Sequence, residues 1–69
     1  MAHYHGDEPM RAFKHFKDRN GTDTTVNALQ VRFAQPATDE NTTLHFGNGA
    51  AVEVKEPFAS VNAWLSAVE

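Results

Sequence analysis

Apolar and polar residues alternate through the middle of the chain and give way to a helical repeat towards its end. Leu29, Val31 and Phe33 alternate with Gln30, Arg32 and Ala34, the two-residue period of a half-buried strand. Thr24-Thr25-Val26 ahead of them is short and β-branched, which also suits a strand. Pro36 ends the run, and residues 37–41 form a polar loop. Alternation resumes at Thr43-Leu44-His45-Phe46, with Leu44 and Phe46 inward and His45 outward. Gly47-Asn48-Gly49 predicts a tight turn, because both residue types accept positive φ at little cost. Val52 and Val54 return to the side of Leu44 and Phe46 and complete a hairpin.

Pro57 opens the last element. Its fixed φ and missing N–H suit the first helical position, and Glu56 sits where the helix dipole favours a carboxylate. Phe58, Val61, Trp64, Leu65 and Val68 fall on one apolar stripe. The sheet face carrying Leu29, Val31, Phe33, Leu44, Phe46, Val52 and Val54 offers that stripe a partner. The pattern predicts an α+β fold: a small antiparallel β-meander of four or five strands packed against one C-terminal amphipathic helix.

The N-terminal part is less regular. Residues 1–9 show no periodicity and read as a flexible arm, leaving 10–69 as a single domain. Residues 10–19 admit two readings. Met10, Phe13 and Phe16 fall at helical spacing, with Asp7 as a cap and Asn20-Gly21 as a stop. Alternatively, residues 13–18 form a strand that enters a hairpin turn at Asn20-Gly21.

Size and composition narrow the function classes. A chain of 69 residues makes one domain, and folding at that size buries only about 60% of the unfolded surface. Little is left to build an enclosed substrate pocket. The absence of cysteine excludes disulfides, a thiol nucleophile and metal–thiolate centres, and points to a reducing, cytoplasmic setting. No apolar run approaches the roughly 20 residues of a membrane span, and the first nine residues lack the apolar core of a secretory signal. No membrane partner is expected.

The candidate chemistry is sparse. His3 and His5 lack the spacing of a metal site, and Asp39-Glu40 lies in a polar loop that would not separate two carboxyl pKa values. Ser60 and Ser66 belong to no nucleophile motif. Catalytic residues, metals and cofactors are therefore expected to be absent.

The net charge of −3 opposes generic nucleic-acid binding, but it is unevenly spread. Arg11, Lys14, His15, Lys17 and Arg19 interleave with Phe13 and Phe16, a mixture that holds phosphates while rings stack on bases. In a small sheet the same phenylalanines serve equally as core. Together with the outward positions Arg32, His45 and Glu53, these residues make up the candidate partner-binding surface. The unpaired edges of an open meander add a route to homodimers or to capture of a partner's strand.

The order of strands and turns resembles the small FlbD-like flagellar proteins over residues 13–65. The resemblance rests on Asn20-Gly21, Thr24-Thr25-Val26-Asn27, the run from Leu29 to Phe33 and the strand at 42–46. Asn48-Gly49 and Val52-Glu53-Val54-Lys55-Glu56 follow, with Val61 in the helix. It implies the strand reading of 13–18 and a non-enzymatic role, and it brings no catalytic residues. A longer N-terminus, Pro57 and the apolar Trp64-Leu65 depart from that pattern. They widen the expectation from a flagellar accessory to a phage- or mobile-element-encoded inhibitor of a host complex such as a defence system. A protein partner is expected first, and nucleic acid bound through 11–19 is the alternative.

Overall fold

The computed structural model describes residues 12–68. The arm expected at 1–9, His3, His5 and Arg11 lie outside them. Two small antiparallel sheets and one C-terminal helix make an α+β fold. Strands β1 (Phe13–Lys17) and β2 (Asp23–Asn27) form a hairpin. A 3-10 turn, η1 (Ala28–Gln30), leads into β3 (Val31–Pro36), β4 (Thr42–Phe46) and β5 (Ala51–Val54), a three-stranded meander. Helix α1 (Phe58–Val68) closes the chain.

Residues 13–17 are strand, as the second of the two readings has it. The turn chemistry explains why. Asp18 accepts the N–H groups of Asn20 and Thr22 on its Oδ1, both at 2.9 Å, and so folds the chain back on itself. Gly21 supplies the positive φ of 87° that this loop requires. In the last hairpin Gly49 does the same at 86°. Between β3 and β4, the Thr38 hydroxyl accepts from the N–H groups of Glu40 and Asn41.

The two sheets are stitched together by β1 and β5. Asp18 bridges Val54, the Arg19 N–H donates to the Glu53 carbonyl, and the Lys55 N–H donates to the Lys17 carbonyl. Around the molecule the strands therefore run β2-β1-β5-β4-β3. Phe16, Val26, Leu44, Val54 and Val61 form the buried core, flanked by Val31, Ala34, Phe46, Val52, Trp64 and Leu65. The Trp64 ring meets Phe16 edge-on at 5.3 Å. Thr42 is fully buried, and its hydroxyl donates to the Glu56 carbonyl at 2.8 Å. Pro57 stands just before α1, and its carbonyl accepts the N–H groups of Ser60 and Val61.

Two expected core residues are not in the core. Leu29 is 70% exposed and Phe33 is 51% exposed. Leu29 sits on η1 rather than on a strand, because the Asn27 side chain accepts the Leu29 N–H at 3.0 Å and starts a 3-10 turn. Phe33 is turned outward by a bulge. Val31 opposes Phe46 and Phe33 opposes His45, so Arg32 is the extra residue and the side-chain phase shifts by one. Ala34, opposite Leu44, takes the inward place.

Candidate functional site

The strand period sorts the candidate residues, and the structure spreads them over separate clusters. Lys14 shares the inner side of β1 with Phe16. Its ammonium lies 5.6 Å from the Phe16 ring centroid and 3.7 Å from the Glu56 carboxylate. His15 and Lys17 project from the other side of the hairpin and converge on Asp23, at 3.0 and 2.6 Å. The Lys17 ammonium, helped by the His15 imidazole, holds the Asp23 carboxyl below the ordinary aspartate range.

Arg19 lies in the hairpin turn, where its guanidinium stands 3.9 Å from the Glu53 carboxylate. Glu53 also accepts the Asn41 side-chain amide at 2.8 Å. Of the candidate cations, Lys14, Lys17 and Arg19 thus each face a carboxylate, and the basic segment is locally neutralised. Such pairs, lying at or near the surface, add little to stability. They do set the field, and it is not the continuous positive stripe that a phosphate backbone requires.

Arg32 and His45 belong to a different neighbourhood. His45 projects from the outer face of the meander, stacked on Phe33 and hydrogen-bonded through Nε2 to the Gln35 side chain at 3.0 Å. Arg32 sits in the bulge, exposed, with its Cδ 3.7 Å from where a Cβ on Gly47 would lie. Among the described residues no carboxylate comes within salt-bridge distance of its guanidinium.

Beside Arg32 is a cleft of about 330 Å³ between β3, η1 and the end of α1, lined among others by Leu29, Val31, Phe33, Leu65 and Val68. Its exposed lining is about evenly polar and apolar, and Leu29 and Phe33 are the large apolar side chains that stand in water beside it. Residue-by-residue reading missed it because it took Leu29 and Phe33 as core. Asn27 ahead of Ala28-Leu29, a residue that caps turns, is the signal that would have found η1. The bulge leaves no comparable mark.

Among the described residues there is no cluster of three or more histidine or acidic side chains placed to hold a metal, and no helix long and apolar enough to cross a membrane. No model of a known protein family matches the chain, and no curated protein or solved structure matches it either.

Proposed function

We propose that this chain is a small non-enzymatic module that binds another protein and acts by occupying that partner's surface. One observation carries the reading: Leu29 and Phe33, large apolar side chains both more than half exposed, flank one cleft between β3, η1 and the end of α1. Keeping large apolar side chains in water forgoes burial worth about 1.5–3 kcal/mol each, which a partner recovers on docking. Occupying a surface needs no chemistry of its own. It fits an accessory protein of the flagellar kind as well as an element-encoded inhibitor of a host complex.

The pairing of Lys14, Lys17 and Arg19 with acids weighs against nucleic-acid binding through that segment. The open edge of β3 is a poor template for strand addition. It carries a bulge at Arg32 and ends in Pro36, two features that blunt sheet edges. A homodimer joined edge to edge would have to use β2.

The test is affinity capture from candidate host lysates with the full chain and with a Leu29→Ser/Phe33→Ser double variant. Near-ultraviolet circular dichroism of both checks that the comparison is between folded proteins. The expected result is a partner retained by the parent chain and lost by the variant. Equal capture by both overturns the reading, as does salt-sensitive binding to single-stranded DNA that Lys14→Glu/Lys17→Glu abolishes.

A further inference from the structure

Resting on this protein-binding reading, we infer that the cleft beside α1 receives an apolar side chain of a partner segment that carries a carboxylate next to it, with Arg32 as the cation that selects it. The cleft walls are aliphatic and aromatic, from Leu29, Val31, Phe33, Leu65 and Val68, and Arg32 is the charged residue lining it. Among the described residues its guanidinium faces no carboxylate, unlike Lys14, Lys17 and Arg19. Arg32 itself lines the cleft, its stem passes beside Gly47, and among the described residues no carboxylate occupies its donors. Guanidinium favours planar, bidentate recognition of carboxylate, which makes an acidic neighbour the matching feature.

A second copy of the chain does not supply this combination. The large exposed apolar residues among those described are Phe13, Leu29 and Phe33. Phe13 is followed by Lys14 and His15, while Leu29 and Phe33 flank Arg32 itself. Docking Leu29 and Phe33 on the cleft would bring Arg32 against Arg32, and the carboxylates beside the Phe13 strand, Glu56 and Asp23, are already engaged by Lys14, His15 and Lys17. A membrane surface or a nucleic acid fits no better, since one guanidinium at the cleft of a chain of net charge −3 is a weak anchor for a polyanion. The occupant is a protein segment in which leucine-like and acidic residues adjoin.

Three short synthetic peptides test this against the isotopically labelled full chain: leucine flanked by glutamates, leucine flanked by lysines, and alanine flanked by glutamates. Only the leucine–glutamate peptide should shift the amide resonances of residues 29–33 and 65–68, with an affinity that falls as salt rises. Arg32→Glu should reverse the preference towards the lysine peptide, and Arg32→Gln should erase it. An affinity change of about tenfold matches one charge pair worth roughly 1.4 kcal/mol. The inference fails if no peptide binds, if acidic and basic peptides bind the parent chain equally, or if phosphatidylglycerol vesicles bind in an Arg32-dependent way. Equal peptide binding at the cleft would sink the charge selection alone. The wider reading is decided separately, by the capture experiment on Leu29 and Phe33.

Discussion

The Phe33 ring lies flat against the His45 imidazole, with centroids 4.3 Å apart and 12° between the planes. These two residues sit opposite each other across β3 and β4, and the bulge at Arg32 is what brings them face to face. Cross-strand aromatic pairs contribute beyond their area, so a double-mutant cycle with Phe33→Ala and His45→Ala should return a coupling of about 0.5–1 kcal/mol in urea melts. Additive costs would show that the rings merely lie close.

Leu29 and Leu44 should respond in opposite ways to truncation. Leu44 is completely buried at the centre of the core, and Leu44→Ala should cost about 2–5 kcal/mol. Leu29→Ala should stay within about 0.5 kcal/mol, because its side chain already stands in water. Chemical denaturation of both variants checks the pair. A large loss at Leu29 would place it in the core after all.

Thr42 ties the sheet to the start of the helix through its hydroxyl bond to the Glu56 carbonyl. Thr42→Val keeps the shape and removes the donor, leaving a carbonyl short of its partner. The expected cost is about 1–3 kcal/mol, read from thermal or urea unfolding. Thr42→Ser, which keeps the hydroxyl, should retain the bond and lose mainly a methyl group.

Stability should also carry an acid-sensitive component from Asp23. Its carboxyl is held below the ordinary range by Lys17 and then by His15, so the folded state favours the ionised form. For a depressed carboxyl the contribution is present above the unfolded value and is lost as pH falls through the folded one. The Tm difference between the parent chain and Asp23→Asn should therefore be largest near neutrality and shrink in acid. A difference that stays constant across that range would count against the pairing.

Much of the architecture was legible residue by residue, and the misses have a common cause. Gly47-Asn48-Gly49 forced a turn, Asn20-Gly21 another, and the spacing from Phe58 to Val68 led to the helix. Strand period was equally clear, but phase was not. The η1 turn and the bulge break the alternation that Leu29, Val31 and Phe33 display along the chain. Only Val31 of the three ends up packed against the core. The candidate surface was harder still. Which lysine or arginine meets an acid depends on pairings across strands, such as Lys14 with Glu56, that no local pattern encodes.

The short join between β1 and β5 sets how the molecule can come apart. The hairpin and the meander share a core, yet the backbone tie across them is one bridge flanked by the Arg19 and Lys55 amides. Those residues lie at opposite ends of the strand region, so their meeting closes a long loop, whose entropy cost must be met before the contacts offset it. Arg19 and Lys55 amide protons should then exchange with solvent together, as two latches on one door.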